Sequence, residues 1–437
     1  MKKILAGVSM VMLCVLAGCS SQKAAEPVTI NVKVSGLSVD INSGKHVNGA
    51  PEIIRRAAEA FNKLHAKDKV TCNVEVFQVR DEDKAIKATF DKPNAPDVLF
   101  ENYFNMSSYI YTGRVVPLDD IITPAMQQDI DEHRWQMSKV NGKTYMMPYY
   151  DMQNILAYEK SQMRAAGLDK FVKDDGSLQH WTDAEWEEIL STLAAKKPNG
   201  AAPLMMYAKN EQGDTHTMVY LRSKGAKFFD DKGNFHVNTP EGIQALRWLQ
   251  EGNKKGYFPH ECQFLQIKDC MMLNQNKKLT INVYNNAIKS RYPKEQYGYV
   301  NFPGHDGKGF ASSFLSGFEV FDNKNAAKLK WSKEFIKFIY ASDELMDYSA
   351  GALPVSKKVV SRFAEKQPEL KLFAENSANI INVTGNNPNW RGVRNVFWVP
   401  IHEMLEGRLT PEQAAELIDK DCNAAIAEGR KNSKLHE

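Results

Sequence analysis

The chain has 437 residues, enough for two or three domains of ordinary size. Hydrophobic residues make up 43% and charged residues 25%, a globular balance that excludes collagen, a long disordered chain and a protein with many membrane spans. Lys and Arg number 56 against 53 Asp and Glu, and the formal charge of +3 is too small for a concentrated nucleic-acid-binding surface.

The N-terminus has the features of an export signal. After two lysines, an apolar run over 4–15 is too short to span a bilayer but is typical of a signal-peptide core. The sequence Leu-Ala-Gly-Cys at 16–19 resembles the bacterial lipobox, which implies cleavage before Cys19 and acylation of that cysteine. We therefore expect a signal peptide over 1–18, a lipidated tether over 19–27, and a lipid anchor holding the protein at the cell surface or periplasmic face of a membrane. An ordinary secretory signal with a chance cysteine is the alternative.

Four cysteines follow the signal: Cys72, Cys262, Cys270 and Cys422. An even number outside the cytoplasm permits disulfides, and Cys262 with Cys270 could close a short loop. Four buried reduced thiols fit the sequence equally well. No pair has the CxxC spacing of a zinc site, so the cysteines do not support zinc binding. We expect neither a metal nor another cofactor.

Strands and helices alternate in the first part of the exported chain. Residues 28–34 alternate apolar with polar side chains, which predicts a strand with one buried face that ends at the turn 35–36. The next predicted elements are a helix opened by Pro51, a strand over 70–79, a short helix over 85–90 and a buried strand over 97–100. This alternation predicts an α/β lobe with a mainly parallel sheet.

The signals continue along the rest of the chain. Asn141-Gly142 between short alternating segments predicts a hairpin. Thr239 and Pro240 supply a cap and a first-turn residue for a long helix. The remaining predictions are a strand over 155–158, helices over 161–167, 183–196, 240–255 and 328–340, and a last helix opened by Pro411.

Several of these stretches carry a family resemblance because they occur in a characteristic order. They are 141–148, 156–160, 166–169, 181–186, the helix ending Lys-Gly-Tyr at 255–257, 276–281, 335–339, 342–344 and 351–355. In this order they resemble the family 1 extracellular solute-binding proteins, the maltose-binding-protein-like receptors of ABC sugar importers. Asn276 departs from the pattern, since the family often has glycine there.

The resemblance implies an α/β fold of the periplasmic-binding-protein-like type II class, with two α/β lobes joined by crossing hinge segments. By analogy the chain crosses near 148–151, 300–303 and 341–344. This gives an N-lobe of 28–148 with 302–341, and a C-lobe of 149–301 with 342–437. The implied partners are the transmembrane permease subunits of an ABC importer and a carbohydrate ligand, with no nucleic acid, and the protein is expected to be a monomer.

A sugar presents hydroxyl groups and apolar C–H faces, so its site needs aromatic rings beside directional hydrogen-bonding groups. Clefts in open α/β sheets lie beyond the carboxyl ends of strands. We therefore select residues that follow predicted strands, residues of the first crossing, two late segments that resemble family ligand segments, and one glycine that permits close backbone approach. The candidate ligand-binding residues are Ser35, Asp40, Glu101, Asn102, Tyr103, Tyr149, Tyr150, Asp151, Tyr284, Asn285, Gly317, Trp390, Arg391 and Trp398. The aromatic members also fit ordinary hinge or core packing.

The main rival interpretation is a secreted, lipid-anchored carbohydrate-active enzyme such as a glycosidase. Its two carboxyl groups would lie roughly 5–10 Å apart in one cleft, and no sequence feature indicates such a pair. The segment 402–406 lacks the second His of a zinc-hydrolase HExxH motif, and 230–234 lacks the further oxygen ligands of a calcium loop. A surface adhesion module fits the lobe-like α/β order poorly. We therefore expect a binding protein rather than an enzyme, with a polyamine, a peptide or a sugar phosphate as alternatives to a sugar ligand.

Overall fold

A computed structural model describes residues 26–35, 49–77, 82–210, 214–285, 292–305 and 307–435. The strands are β1 Val28–Ser35, β2 Val70–Phe77, β3 Val98–Asn102, β4 Lys139–Val140, β5 Lys143–Thr144, β6 Met147–Asp151, β7 Gln153–Glu159, β8 Leu178–Gln179, β9 Ala202–Leu204, β10 Leu279–Asn285, β11 Tyr297–Val300, β12 Ala311–Ser313, β13 Ser316–Val320, β14 Leu353–Pro354 and β15 Ile380–Ile381.

The helices are α1 Gly49–Leu64, α2 Glu82–Lys87, α3 Met106–Ile110, α4 Pro124–Asp129, α5 Glu132–Met137, α6 Lys160–Ala165, α7 Asp183–Lys196, α8 Asp214–Ser223, α9 Pro240–Lys254, α10 Ile267–Gln275, α11 Ala326–Ala341, α12 Asp343–Asp347, α13 Lys357–Phe363, α14 Pro368–Glu375, α15 Trp390–Leu405 and α16 Pro411–Lys431. Within the described ranges, none of them has both the length and the apolarity that a bilayer crossing requires.

The first sheet, in the described part of the chain, has the strand order β14-β6-β13-β3-β1-β2. β1 pairs in parallel with β2 and β3, whereas β13 runs antiparallel to both β3 and β6. The carboxyl ends of β1, β3 and β6 and the start of β13 therefore lie at one edge of this sheet.

β1 is covered on both faces, not on one face as its alternating sequence predicts. Val32 is fully buried, and Lys33 on the opposite face is only 3% exposed. The Lys33 ammonium group lies 2.7 Å from the Glu75 carboxylate on β2, which compensates its burial. On the helical side, the Phe61 ring of α1 packs 5.3 Å from the Phe335 ring of α11.

The second sheet has the order β15-β12-β7-β10-β9, and β11 pairs with β7 and β8. β10, β11 and β12 are antiparallel to β7. The start of β7 and the carboxyl ends of β10 and β12 therefore lie at one edge, and β7 begins just after Met152, the single residue that separates it from β6.

The first passage between the sheets falls at Met152, close to the expected crossing, and the later passages differ from expectation. β11 and β12 both pair in the second sheet, so the chain returns to the first sheet between Ser313 and Ser316 rather than near 300–303. β14 pairs in the first sheet and β15 in the second, so the last passage lies between 354 and 380 rather than near 341–344. Strand pairing, which a linear pattern does not encode, determines these positions; the lobe limits themselves stay predictions.

Most of the local signals are confirmed. α7 spans the predicted range 183–196, and the Thr239 side chain caps α9 as predicted. β4 and β5 form the predicted hairpin. α2 lies earlier than expected, because the chain turns after Lys87 and reaches a left-handed conformation at Asp91, with φ of 63°.

The structure decides between a disulfide and free thiols for the four cysteines. The buried free thiols are Cys72, Cys262, Cys270 and Cys422, so the possible disulfide between Cys262 and Cys270 is not formed. The Cys270 thiol donates to the Met206 carbonyl oxygen at 3.3 Å. Burial raises the pKa of Cys72 and of Cys270 to about 12, which suppresses their thiolate forms.

Candidate functional site

The edges of the two sheets meet where the chain passes between them. Ser313, at the end of β12, donates through Oγ to Oδ1 of Asp151, at the end of β6. Phe314 N donates to the Met152 carbonyl oxygen at 2.9 Å. Polar side chains at the ends of strands from both sheets are thereby brought into one region, as expected for an interlobe site.

A row of amide and hydroxyl groups forms the second-sheet edge of this region. Asn154 Nδ2 donates to Ser312 Oγ at 3.2 Å, and Asn285 Nδ2 donates to Asn154 Oδ1 at 3.0 Å. Asn285 was predicted from its position after a strand. Asn154 and Ser312 were missed, although the polar pair Gln153-Asn154 directly before a predicted apolar strand was a usable signal. We call Asn154, Ser312 and Asn285 the amide floor.

Aromatic rings line the first-sheet side. After β3, Asn102 Oδ1 accepts a hydrogen bond from Phe104 N at 3.1 Å and fixes the turn. The rings of Tyr103 and Phe104 lie 4.7 Å apart, and Phe104 lies 4.8 Å from Phe314. The predicted residues Asn102 and Tyr103 are therefore close together, and Phe104 adds a ring that the candidate set lacked.

Glu101 and Gly317 are opposite each other in the pairing of β3 with β13. Glu101 is 1% exposed. A Cβ atom at Gly317 would lie 2.2 Å from the Met147 carbonyl oxygen. Glycine is therefore required here because the β6 backbone approaches closely.

The first turn of α15 forms the opposite wall. Asn389 caps this helix by accepting from Gly392 N at 3.1 Å. Trp390 is the first residue of the helix and is 1% exposed; its Nε1 has no hydrogen-bond partner among the described residues. Arg391 and Arg394, one turn apart, are partly buried.

The two walls contact each other. Ser107 on α3 donates through Oγ to the Asn387 carbonyl oxygen at 2.5 Å. Arg394 Cζ lies 6.0 Å from the centre of the Phe104 ring, a cation–π arrangement between the walls. Neither Arg394 nor Ser107 was predicted, because their proximity depends on how the lobes approach and not on a local motif.

The tyrosines of the first crossing lie in packed surroundings. Tyr149 donates through its hydroxyl to the Leu345 carbonyl oxygen and packs 5.7 Å from the Phe318 ring. Tyr150 is 2% exposed and hydrogen-bonds to Ser316. Burial raises the pKa of both phenols, so they stay protonated at neutral pH.

Arg134, which the sequence did not single out, reaches Asp151 from α5. Its Nη1 lies 2.7 Å from Asp131 Oδ2, and its Nη2 donates to Ser377 Oγ at 2.8 Å. Ser377 belongs to the short 3-10 helix Asn376–Asn379, next to the second sheet. Arg134 therefore connects α5 with the segment that leads into β15 of the second sheet.

The other predicted residues are more dispersed. Tyr284 is stacked 5.1 Å from Tyr299 and 6.0 Å from Phe373, and burial raises its pKa far above the usual value. Trp398 is partly buried, with its ring 5.9 Å from that of His402. Ser35 ends β1 and is buried. Asp40 and Cys19 lie outside the described residues.

The family assignment follows from comparison of the sequence with known families. Residues 47–346, well over half of the chain, match the family of bacterial extracellular solute-binding proteins. This chain belongs to that family. The resemblance read from the order of the motifs is therefore confirmed.

Curated relatives and solved structures extend the comparison. The chain is 20% identical over 385 residues to the sn-glycerol-3-phosphate-binding periplasmic protein of Escherichia coli K12, covering 79% of this chain and 83% of that one. A cyclic alpha-maltosyl-1,6-maltose binding protein from Arthrobacter globiformis superimposes with a TM-score of 0.72 at 16% identity, covering 92% of this solute-binding protein and 100% of that chain. MalE from Xanthomonas citri gives 0.72 at 15% identity, covering 92% and 98%. These similarities confirm the type II α/β fold.

Proposed function

We propose that this solute-binding protein is the lipid-anchored receptor of an ABC importer, which captures a sugar, an oligosaccharide or a polyol between its lobes and delivers it to a separate membrane permease. The single observation that carries the proposal is that the amide floor, at the second-sheet edge, lies in the same region as the rings of Tyr103, Phe104 and Phe314 on the first-sheet side. Uncharged amides and hydroxyls can both donate to and accept from ligand hydroxyl groups.

The aromatic side of the site supports the same ligand class. Tyr103, Phe104 and Phe314 form a connected group of rings beside the turn after β3. Apolar C–H faces of a sugar pack favourably on such rings, while the floor serves the ligand's hydroxyl groups. The combination suits a neutral polyhydroxylated solute.

The solutes named for structural neighbours support the breadth of this proposal. One neighbour from Listeria monocytogenes is in complex with cycloalternan, and one from Agrobacterium radiobacter K84 is in complex with ribitol. We infer for this chain a carbohydrate or polyol without choosing a ring size.

A glycerol phosphoester is the second candidate. The Escherichia coli relative is named for sn-glycerol 3-phosphate, and two guanidinium groups, those of Arg391 and Arg394, belong to the first turns of α15 in this chain. Guanidinium groups recognise phosphate with paired hydrogen bonds. Phosphorylated and neutral ligands are therefore compared directly in the test.

Capture proceeds by closure of the lobes. A solute that contacts the amide floor and the ring-bearing wall together binds the closed arrangement more tightly than the open one, and it shifts the population by that difference in affinity. The hydrogen bond between Ser107 and Asn387 also stabilises the closed arrangement, although it involves no direct contact with the ligand.

Binding is proposed to leave the solute chemically unchanged. A thermal-shift screen of residues 26–437 over neutral sugars, maltodextrins, polyols and glycerol 3-phosphate identifies the ligand, because a specific ligand stabilises only the folded state. We expect a neutral carbohydrate or polyol to raise Tm. Stabilisation by none of these solutes would contradict the proposal, and release of hydrolysis products from a bound glycan would indicate an enzyme instead.

The anchor and the monomeric state are part of the proposal. Acylated Cys19 would hold the receptor next to its permease, and Cys19→Ser is expected to release it into the soluble fraction. A Cys19→Ser variant that remains membrane-bound after washing would argue against acylation. Light scattering is expected to give the mass of one chain.

A further inference from the structure

Lysine side chains gather at the outer edge of the second sheet, away from the edge that meets the first sheet. They occur as three adjacent pairs, and each pair lies at or just beyond the end of a long helix: α7, α9 or α10. We call this group the lysine cluster; its members are Lys196, Lys197, Lys254, Lys255, Lys277 and Lys278.

Hydrogen bonds hold the three segments of the lysine cluster together. The Lys197 ammonium group donates to the Gly256 carbonyl oxygen, and Lys278 Nζ donates to the Asn199 carbonyl oxygen at 3.2 Å. The backbone adds another link, because Ala202 N donates to the Lys278 carbonyl oxygen at 2.8 Å. Three pairs that are far apart in sequence therefore form one positively charged surface.

The positive charge of this surface is not neutralised by ion pairs. No carboxylate of the described residues lies within salt-bridge distance of any ammonium group in the cluster, whereas Lys224, beside the same helices, lies 3.0 Å from Asp183. Burial lowers the pKa of Lys197 because no negative charge offsets the loss of solvent around its ammonium group. An incoming anion would supply that charge.

The helix ends account for only part of the cluster. The last turn of a helix carries a partial negative charge of roughly half an elementary charge, which favours one basic residue there. The adjoining acids, Glu159 at the end of β7 and Glu251 one turn before Lys255, make no ion pair with the cluster. The second lysine of each pair thus exceeds what the helix ends need.

The lysine cluster and the start of the described chain lie at opposite ends of the molecule. β1 and β10 both end at the edges where the sheets meet, so both begin at outer edges, β1 in the first sheet and β10 in the second. Glu26 directly precedes β1, and Lys277 and Lys278 directly precede β10. A lipid anchor attached before Glu26 would therefore leave the lysine cluster facing away from the membrane, towards the polymers of the cell envelope.

We propose that the lysine cluster is a docking surface for an acidic polysaccharide of the cell envelope. Ammonium groups on flexible stems act as point charges, which suit a polymer whose carboxylates repeat along its length. The aromatic ring in contact with the cluster, that of Tyr257, is 2% exposed and offers no face for stacking a nucleotide base. The choice of a polysaccharide over the membrane rests on the proposed anchor, whereas the charge of the surface does not.

The test uses residues 26–437, with polygalacturonate as the probe and binding followed by calorimetry. We expect saturable binding that weakens as the salt concentration is raised from about 0.01 M to about 0.15 M, because the cluster is exposed and its attraction is screened. Replacing three exposed members together, Lys254→Gln, Lys255→Gln and Lys277→Gln, should weaken binding at least about tenfold. This variant keeps the carbonyl contacts of Lys197 and Lys278.

The matched control removes the same charge from the opposite end of the molecule: Lys63→Gln, Lys67→Gln and Lys69→Gln. These side chains are exposed as well, and Lys69 and Lys277 share a left-handed backbone with φ of 56°. We expect this variant to bind polygalacturonate within about twofold of the unaltered protein. Urea unfolding checks that both variants fold; if the first does not, Lys254→Gln is compared with Lys63→Gln, and only Lys254→Gln should weaken binding.

Two further probes distinguish other polyanions: an oligothymidylate, and vesicles of equal parts phosphatidylcholine and phosphatidylglycerol. Absence of saturable polygalacturonate binding, equal losses in the two variants, or tighter binding of either further probe at the same concentration of negative charge would overturn the proposal. Both variants should keep the unaltered affinity for the solute found in the thermal-shift screen. A failure of this docking surface is thereby distinguished from a failure of solute capture.

Discussion

Arg134 Nε lies 3.6 Å from Asp151 Oδ2, and both side chains are almost completely buried at the passage between the sheets. Asp151 also accepts from Ser313, so this carboxylate contacts groups on both sides of the hinge. The pair is therefore placed to stabilise the junction on which the relative position of the lobes depends.

Asp151→Asn is expected to destabilise the protein by about 3–5 kcal/mol, because it leaves the buried Arg134 guanidinium without this negative charge. Urea unfolding of residues 26–437 measures the change. Asp131→Asn is the matched control: Asp131 also contacts Arg134, but its side chain is 30% exposed, so the loss should be smaller. Equal losses would contradict the importance assigned to the buried pair.

Ser107→Ala removes a hydrogen bond between the walls without removing any group from the amide floor. We expect ligand affinity to fall about fivefold to tenfold, since a hydrogen bond of this kind contributes about 1 kcal/mol. Calorimetry with the ligand found in the screen measures the effect. Ser108→Ala is the control, because the Ser108 hydroxyl donates within its own lobe, to Asp83 at 2.8 Å. Unchanged ligand affinity in the Ser107→Ala variant would show that this hydrogen bond does not stabilise the closed state.

The four buried thiols should not react with a chromogenic disulfide reagent while the protein is folded at pH 8. Burial raises the pKa of Cys72 and Cys270 to about 12, so little thiolate is present, and access is blocked as well. Denaturant should make all four of Cys72, Cys262, Cys270 and Cys422 titratable. Rapid reaction of the native protein, or two missing thiols after unfolding, would contradict the free buried state.

His216 should make the fold sensitive to mild acid. Burial lowers its pKa from 6.5 to about 3, so below pH 6.5 the unfolded chain binds a proton that the folded chain does not. Stability should therefore fall as pH decreases from 6.5 towards 3, by up to about 1.4 kcal/mol per pH unit from this group. Urea unfolding between pH 7 and 5 is compared with that of His216→Gln, where the slope should be shallower. Equal slopes of stability against pH for the two proteins would show that His216 does not cause the acid sensitivity.

Local sequence signals predicted the helices and strands well because caps and periodicity act within a few residues. The Thr239 cap of α9 and the hairpin of β4 and β5 are formed by neighbours in sequence. The positions of the chain crossings were less predictable, since the membership of β12 in the second sheet depends on its pairing with β7, more than 150 residues earlier.

In the candidate site, too, residues with a local sequence signal were predicted and residues brought together by distant contacts were not. Asn102, Tyr103 and Asn285 were predicted because each follows or ends a strand, and strand ends share an edge. Asn154, Ser312 and Arg394 were missed because their contacts join distant segments. Trp390 was identified as important, but its environment was not, since nothing local to it indicates that it is buried in the first turn of α15.

Hydrogen–deuterium exchange, with and without the solute found by the screen, tests the central claim most directly. We predict that the solute slows exchange together in residues 101–107 of the first wall and 387–394 of the second, while the outer face of α16 is unchanged. Protection limited to one of these two segments, or absent from both, would contradict capture of a solute between the lobes.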